Sequence, residues 1–321
     1  MPRSLSPGIL DRVTVRPLPR PGHLAAALSL LALLLTTAAC TSSHAALPPS
    51  RSPAASAHPA AAVRASPAAV SPEPVPPGPP SVTVSRTRTA DGSALTVAVI
   101  HGSVQYVLHN GSLDPGSAYA ALVKAGPAVT GPERRRLLAA FNGGFLLRSH
   151  AGGYEQEGHV IASLRRGLAS LVIDRSGRAR IGVWGVTVPA PGEPVYSVRQ
   201  NLWLLVSNGQ PTAQAARWWR FGGTIGHAEY VARSALGQDA AGDLIYVASM
   251  STTPQDLAVA LARTGARVGM ELDINPEWVQ LAVAAVPGGA LRAAIPGQIR
   301  PATQYLTGWT RDFITVLGPA G

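Results

Sequence analysis

The chain has 321 residues and a formal net charge of +10, from 27 lysines and arginines against 17 acidic side chains. Residues 81–321 hold 21 of the basic and 15 of the acidic side chains, and no basic run there is interleaved with aromatic residues, which excludes nucleic acid as a partner. The only cysteine is Cys40, so residues 81–321 cannot form a disulfide, a thiolate metal site or a cysteine nucleophile.

The first 40 residues have the pattern of an export signal. Three arginines lie within residues 12–20, an apolar run follows over residues 24–39, and small residues precede Cys40. This order resembles the bacterial lipobox, in which the cysteine is lipidated and becomes the mature N-terminus. Cleavage near Ala39 or Ala46 and an uncleaved anchor are the alternatives, although the run is short for a stable membrane span. Each outcome predicts an extracytoplasmic domain, either held at the membrane as a lipoprotein or secreted.

Residues 41–80 are rich in proline, alanine and serine and show no apolar periodicity. A segment of this composition cannot bury enough apolar surface to fold. We therefore expect a disordered tether with partial polyproline-II character. One folded domain remains over residues 81–321, and this length can form a sizeable core without disulfides.

Apolar runs separated by turn residues predict eight strands in this domain. In chain order they cover 82–85, 94–100, 105–109, 171–174, 179–183, 201–207, 243–249 and 267–274. The predicted helices cover 118–125, 133–140 and 254–263. Thr253 suits the N-cap of the last helix and Pro254 its first position. Together these elements indicate an α+β fold, a single domain with a mixed, largely antiparallel β-sheet packed with several helices.

The segment 141–145, Phe-Asn-Gly-Gly-Phe, is the most informative one in the domain. Two adjacent glycines allow positive φ angles and a close approach to the backbone, and the Asn142 amide can both donate and accept hydrogen bonds. An Asn-Gly pair is also an ordinary turn signal. By itself the segment indicates either a tight turn or one wall of a ligand site.

Three motifs follow one another in order along the domain. Asn-Gly-Gly-Phe at 142–145 comes first, Arg-Ser-Ala-Leu-Gly at 233–237 comes second, and Glu-Leu-Asp at 271–273 comes third, after a predicted strand and helix. This series resembles the phosphodiester glycosidase family, and the resemblance extends over residues 82–318.

The third motif departs from the family pattern. Glu271 stands where the family has asparagine, and residues 274–278, Ile-Asn-Pro-Glu-Trp, replace its Gly-Gly-Gly-Ser. The replacement turns a flexible loop that a ligand could approach closely into a rigid, bulky one. Pro276 is expected to restrict Asn275 to extended conformations.

The resemblance implies an enzyme that acts on a sugar linked through its anomeric carbon to a phosphodiester. Arg233 is then the candidate phosphate ligand, because a guanidinium can fork onto two phosphate oxygens. The alternative for Arg233 is a structural arginine paired with an acid on the sheet. Asn142 and the amides of Gly143 and Gly144 could bind a sugar hydroxyl or a phosphate oxygen. His227 is a candidate proton donor or phosphate contact.

Asp273 and Glu271 are the candidate catalytic carboxylates. In an extended strand they lie on one face with Cα atoms about 6.6 Å apart, where they could act as acid and base or as base and nucleophile. Their mutual repulsion would raise one of the two pKa values. The same pair could bind Ca²⁺, or one carboxylate could form a salt bridge with an arginine such as Arg233.

Two further groups of residues have ordinary structural alternatives. Glu155, Glu157 and His159 alternate as metal ligands on one strand face would, but the spacing is not a recognised zinc pattern, and a solvated strand edge is the alternative. The tryptophan pair at 218–219 and Trp278 could stack on sugars or fill the core.

These observations favour three functions in order. The first is an exported, tethered glycosidase that cleaves a sugar-1-phosphodiester, such as one of α-N-acetylglucosamine, in an envelope polymer or glycolipid. The second, suggested by residues 274–278, is a catalytically degenerate lipoprotein that binds an envelope glycan or a phosphosugar. The third is a structural or assembly scaffold without a ligand. In all three the expected membrane contact is an N-terminal lipid anchor at Cys40.

Overall fold

The computed structural model describes residues 81–319, which form β-strands and short α-helices. The strands are β1 Ser81–Arg88, β2 Ala94–His101, β3 Gln105–His109, β4 Leu137–Asn142, β5 Tyr154–Gln156, β6 His159–Ala162, β7 Ala169–Ile173, β8 Ala179–Val183, β9 Ser197–Gln200, β10 Leu204–Ser207, β11 Gln210–Pro211, β12 Val231–Gln238, β13 Leu244–Thr252, β14 Val268–Ile274, β15 Leu281–Ala284, β16 Leu291–Ala293 and β17 Phe313–Leu317. The helices are α1 Gly131–Arg136, α2 Pro254–Arg263 and α3 Gln304–Thr307. The predicted export signal, the lipidation site Cys40 and the tether lie outside the described residues and stay predictions.

The strands form three antiparallel sheets. The large sheet has the order β1-β2-β13-β12-β14-β10-β11, the β4 sheet has the order β16-β15-β4-β17-β3, and the β9 sheet has the order β6-β5-β9-β7-β8. The buried apolar side chains of the main core come from strands of all three sheets. The sheets therefore share one core.

The predicted fold class, an α+β domain with a mixed sheet and several helices, is wrong. The described residues are mostly β-sheet with three short helices, and the named strands pair only in antiparallel fashion. Where a helix was expected over 118–125, the chain forms a 3-10 turn at Ser117–Tyr119 followed by further turns. The helix expected over 133–140 ends at Arg136, and β4 begins at Leu137.

The misassigned strand β4 lies between β15 and β17. All six of its residues are buried, and its side chains belong to two separate apolar clusters. A strand that is covered on both faces has no alternation of polar and apolar residues. Its Leu-Leu-Ala-Ala-Phe run is therefore equally compatible with a helix.

Helix α2, in contrast, is confirmed with its predicted start and end. Thr253 Oγ1 accepts a hydrogen bond from Asp256 N at 3.1 Å, and Asp256 Oδ2 accepts one from Thr253 N at 3.1 Å, which forms a capping box. Leu257 and Leu261 bury the apolar side of the helix against the face of the large sheet opposite the main core. No helix among the described residues is long and apolar enough to span a membrane.

Strand ends from all three sheets meet at one place, which we call the junction. The last residue of β4, Asn142, pairs with the first residue of β17, Phe313. Near the start of β12, Arg233 pairs with Ile274 at the end of β14. Strand β9 adds Arg199, which is fully buried. The fold thus places residues from the three sequence motifs side by side.

Candidate functional site

The first and third motifs meet at Ser234 of the second. Its hydroxyl accepts a hydrogen bond from Asn142 Nδ2 at 2.9 Å and donates one to the Asp273 carbonyl at 3.2 Å. The Asp273 N–H lies 3.2 Å from the same hydroxyl. The structure therefore brings Asn142 and Asp273 together at Ser234. The side chain of Arg233, the neighbour of Ser234 in β12, points to the opposite face of the large sheet, as Ala235 does.

The Asn142 amide is used entirely within the protein. Its Nδ2 donates both to Ser234 Oγ and to the Gly143 carbonyl, the latter at 3.0 Å. Its Oδ1 accepts from the Tyr246 hydroxyl at 2.8 Å and from Gln280 N at 3.2 Å. Both donors and both acceptor positions of the amide are therefore occupied, and the residue is only 2% exposed. In this structure the Asn142 side chain links the ends of neighbouring strands by hydrogen bonds.

Gly143 and Gly144 are approached closely by the protein itself. Gly143 N donates to the Asp312 carbonyl at 2.9 Å, and Gly144 N donates to Asp312 Oδ2 at 3.2 Å. A Cβ on Gly143 would lie 2.5 Å from Asp312 Cγ, and one on Gly144 would lie 2.8 Å from Arg199 Cζ. Neither glycine has a positive φ, so a close approach, and not a tight turn, requires them.

Arg233 and Glu271 form a fully buried ion pair, with Arg233 Nη1 at 2.8 Å from Glu271 Oε1. The same Nη1 donates to the Phe221 carbonyl at 2.9 Å. Among the described residues, Arg233 Nε, Arg233 Nη2 and Glu271 Oε2 are buried without a hydrogen-bond partner. The pairing matches the structural alternative for Arg233, while its unpartnered N–H groups leave donors for a ligand.

Asp273 pairs with a different arginine, Arg311. Arg311 Nη2 donates to Asp273 Oδ2 at 2.8 Å and to the Gly144 carbonyl at 3.0 Å. Asp273 Oδ1 accepts from Ile274 N at 2.8 Å. The Arg311 guanidinium lies 4.7 Å from the centre of the Trp278 ring, so this tryptophan stacks on an arginine of the junction.

Each candidate carboxylate therefore has its own arginine. Arg233 pairs with Ile274 and Ala235 with Glu271, so β14 uses one more residue than β12 over the same stretch. This bulge breaks the alternation that predicts Glu271 and Asp273 on one face. The simple strand geometry expected from the sequence does not hold here.

Burial raises the pKa of both carboxyls. The pKa of Glu271 rises to about 7, although Arg233 acts to lower it. The pKa of Asp273 rises to about 8, although Arg311 acts to lower it. Desolvation is the largest cause in both cases, and the expected mutual repulsion is not among the causes. Both groups exchange protons near neutral pH, where general acids and bases work best.

These two pKa values predict a stability that falls as the pH rises. From the unfolded values of 3.8 and 4.5 up to about 8 and about 7, the folded protein holds protons that the unfolded chain has released. The free energy of unfolding should therefore fall between about pH 4 and pH 8, by at most about 1.4 kcal/mol per pH unit for each group. Urea denaturation across this range measures the slope.

The variant Asp273→Asn is the control for this pH dependence. Asparagine does not titrate, so this variant lacks one of the two carboxyls that hold a proton in the folded protein. Its free energy of unfolding should therefore fall less steeply with pH than that of the unaltered protein. Equal slopes in the two proteins, or a stability that rises over the interval, would show that Asp273 is ionised in the folded state at neutral pH.

Sequence reasoning missed Arg199, Arg311 and Asp312. Arg199 Nε donates to Asp312 Oδ2 at 2.7 Å, and each side chain is 1% exposed. Arg311 Nε also lies 3.9 Å from an oxygen of Asp114. The local sequence offers one weak signal, the charged pair that directly precedes the unassigned apolar run 313–317, which is β17.

His227 lies outside the junction. It is exposed and lines a pocket of about 390 Å³, which we call the outer pocket. Phe145 and Gly222 also line this pocket, and a Cβ on Gly222 would lie 2.6 Å from Phe145 and 2.7 Å from Ile274. Asp273, which precedes Ile274, is not among the residues that line this pocket.

Residues 274–278 turn away from the strand. Asn275 has a φ of 72°, so the expectation that Pro276 holds it extended is wrong. Asparagine tolerates this left-handed region better than most residues. Asn275 Oδ1 accepts a hydrogen bond from Ile225 N at 3.2 Å and so attaches the loop 217–228 to the end of β14.

Within residues 81–319 no three histidine, cysteine, aspartate or glutamate side chains are grouped to hold a metal ion. Glu271 and Asp273, the candidates for Ca²⁺, each have one oxygen 2.8 Å from a guanidinium nitrogen. This buried positive charge repels a cation, so the two residues do not fit a calcium site. In the alternating triad within 155–159, Glu157 accepts hydrogen bonds at 2.8 and 2.9 Å from backbone N–H groups of residues 124–125. The proposed reaction therefore does not involve calcium.

No protein-family profile matches the chain, and no curated protein matches it. Among solved structures, the chain is similar to the catalytic domain of zebrafish N-acetylglucosamine-1-phosphodiester α-N-acetylglucosaminidase, auto-inhibited by its pro-peptide, at 14% identity and a TM-score of 0.46, over 75% of this chain and 83% of that one. A hypothetical protein from Synechocystis has 14% identity and a TM-score of 0.44, over 74% of this chain and 62% of that one. An exported protein from Burkholderia pseudomallei has 14% identity and a TM-score of 0.37, over 70% and 74%.

Proposed function

We propose that this protein is a hydrolase that cleaves a sugar-1-phosphodiester, with the junction as its reaction site. The observation that carries the proposal is the Asp273 carboxyl, which is buried beside Arg311 and has a pKa raised to about 8. A carboxyl that keeps its proton at neutral pH suits a general acid. The neighbouring arginines suit an anionic substrate. The order of the three sequence motifs supports the same chemistry.

In this reaction Asp273 gives its proton to the oxygen that links phosphorus to the anomeric carbon, as the bond between that carbon and that oxygen breaks. The leaving group is a phosphate monoester, whose second pKa is about 6. The Asp273 carboxyl carries its proton at neutral pH because its own pKa is about 8. Water adds its oxygen to the anomeric carbon, and a proton from that water restores the Asp273 carboxyl.

Arg233 is the proposed phosphate ligand, on the face of β12 where it pairs with Glu271. Its Nε and Nη2 are buried without a partner among the described residues, and an arginine with free N–H groups can bind two phosphate oxygens at once. Glu271 fixes this guanidinium through Nη1 and, with its pKa of about 7, is the second candidate for proton transfer. Asn142, Gly143 and Gly144 hold the junction together in this proposal.

The proposal also includes export. The signal pattern ending at Cys40 and the composition of the tether over 41–80 support a domain held outside the cytoplasmic membrane by a lipid anchor. An envelope glycopolymer or a glycolipid is then the substrate within reach. A free secreted form would meet the same polymers.

The burial of the junction favours a second candidate function, which is binding of a ligand without turnover. Asp273 is only 4% exposed, and Phe145 and the neighbouring Ile274 pack tightly against Gly222. A catalytically degenerate envelope-binding lipoprotein would keep this closed arrangement. Hydrolysis requires that substrate enter beside Asp273.

One substitution tests the hydrolase directly. Asp273→Asn keeps the shape of the side chain and removes its acid, so it should lower the turnover of an N-acetylglucosamine-1-phosphodiester or of wall-polymer fragments by roughly 10²- to 10⁴-fold. The measurement is release of reducing sugar by the purified full-length chain, with and without Ca²⁺.

Asp174→Asn is the matched control, because Asp174 lies in an exposed turn and holds its neighbours through one oxygen that asparagine retains. This control should keep full activity. Binding of the substrate without turnover in the unaltered protein would favour the degenerate binding module. Turnover that survives Asp273→Asn would remove Asp273 from the mechanism.

A further inference from the structure

The outer pocket has the size and lining of a small-molecule site. Its volume of about 390 Å³ falls within the range of about 300 to 1,000 Å³ that is usual for such sites. Phe145 lies on the side toward the junction, and the loop 217–228 supplies most of the opposite side. Nothing in the proposed chemistry at Asp273 accounts for this space.

The loop presents two indole rings to the pocket. Trp218 is half-buried, Trp219 is 63% exposed, and their ring centroids lie 6.1 Å apart at an interplanar angle of 85°. Trp219 therefore offers an accessible indole ring at the pocket. Its flat apolar face suits the C–H face of a sugar ring, and its N–H suits a hydroxyl.

The pocket carries one permanent positive charge. Arg220 lines it, and no acidic side chain of the described residues does. Arg220 lies 4.6 Å from the centre of the Trp203 ring and donates to Gln214 Oε1 at 3.2 Å. It forms no ion pair with a carboxylate of residues 81–319. This charge favours an anionic ligand.

A buried hydroxyl supplies independent support for a polar ligand. Thr224 lines the pocket, and its Oγ1 is buried without a hydrogen-bond partner among the described residues. A buried hydroxyl normally has a hydrogen-bond partner in a native protein. The neighbouring Gly222 and Gly223 leave backbone groups beside it that carry no side chain.

We infer that the outer pocket binds the sugar ring of an anionic phosphosugar, with Trp219 on the ring face, Thr224 on a hydroxyl and Arg220 on the phosphate. The choice of a phosphosugar rests on the proposed function. Phe145 lines the pocket and belongs to the first sequence motif, and Gly222 of the pocket packs against both Phe145 and Ile274.

The test is calorimetric titration of the full-length chain with N-acetylglucosamine 1-phosphate, N-acetylglucosamine and inorganic phosphate. The phosphosugar should bind more tightly than either half alone. Trp219→Ala should weaken its binding roughly tenfold, the loss of one aromatic stacking contact. Arg220→Gln should reduce the affinity for the phosphosugar to that for the uncharged sugar. Val186→Ala removes an equally exposed apolar side chain outside the pocket and should change nothing.

Asp273→Asn separates this inference from the proposed hydrolysis. Binding that persists in Asp273→Asn and weakens in Trp219→Ala supports the pocket, whether or not the unaltered protein turns substrate over. Binding or turnover that Trp219→Ala and Arg220→Gln both leave unchanged overturns the pocket while the proposed function stands. Absence of binding by all three probes also overturns the pocket, and hydrolysis would then be judged on its own assay.

Discussion

The variant Gly143→Ala is expected to be unfolded, or to lose at least about 3 kcal/mol of its free energy of unfolding. A Cβ at this position would lie 2.5 Å from Asp312 Cγ and 2.8 Å from the Asp312 carbonyl oxygen. Asp312 cannot yield, because Arg199 holds its carboxylate at 2.7 Å and Gly144 N donates to it at 3.2 Å. Any shift of Asp312 breaks a buried ion pair.

Guanidinium denaturation followed by circular dichroism measures the effect, and Gly126→Ala is the matched control. No atom lies within 4 Å of a Cβ built on Gly126, so this variant should stay within about 0.5 kcal/mol of the unaltered protein. If Gly143→Ala proved as stable as Gly126→Ala, the junction would be free to rearrange. The rigid support proposed for Asp273 would then be absent.

The second large effect is expected at Arg199. The variant Arg199→Met leaves the Asp312 carboxylate buried without its cation and should cost about 3 to 5 kcal/mol of the free energy of unfolding. The double variant Arg199→Met with Asp312→Asn removes the stranded charge and should regain part of that loss. Chemical denaturation of the single and double variants gives the two values.

The surface pair of Arg180 and Glu193 provides a control of similar geometry. Their N–O distance is 2.8 Å, against 2.7 Å for the buried pair, but Arg180 is 48% exposed and Arg199 is 1% exposed. Arg180→Met should therefore cost no more than about 1 kcal/mol. A loss for Arg199→Met as small as that for Arg180→Met would contradict the claim that burial makes this pair indispensable.

Elements with local signals could be predicted from the sequence. Helix α2 was predictable because Thr253 and Pro254 fix its start by backbone hydrogen bonding, independently of the rest of the fold. Strand β3 was predictable from its short apolar run, which ends at the Asn110-Gly111 turn signal, and it covers the predicted 105–109. Strand β4 was not, because its two covered faces erase that alternation.

The residues of the candidate site also differ in whether a local sequence signal could identify them. Asn142 and Asp273 were selected from motif order, and the structure brings both to Ser234. Arg233 was selected in the same way, but its side chain pairs with Glu271 on the other face of β12. The arginine partners could not be predicted, because Arg311 pairs with Asp273 across 38 residues and Arg199 pairs with Asp312 across 113 residues. Contacts at such separations leave no periodic trace in the local sequence.

The sequence by itself determined which residue types are present, where helix α2 and several strands begin and end, and that cysteine chemistry is excluded from residues 81–321. Only the tertiary structure decided which carboxylate meets which arginine, and that Gly143 is required by a close approach. The bulge in β14 and the burial of the junction also emerged only there. The physical reason is that charge pairing and desolvation depend on distances through space, whereas capping and alternation act between near neighbours in the chain.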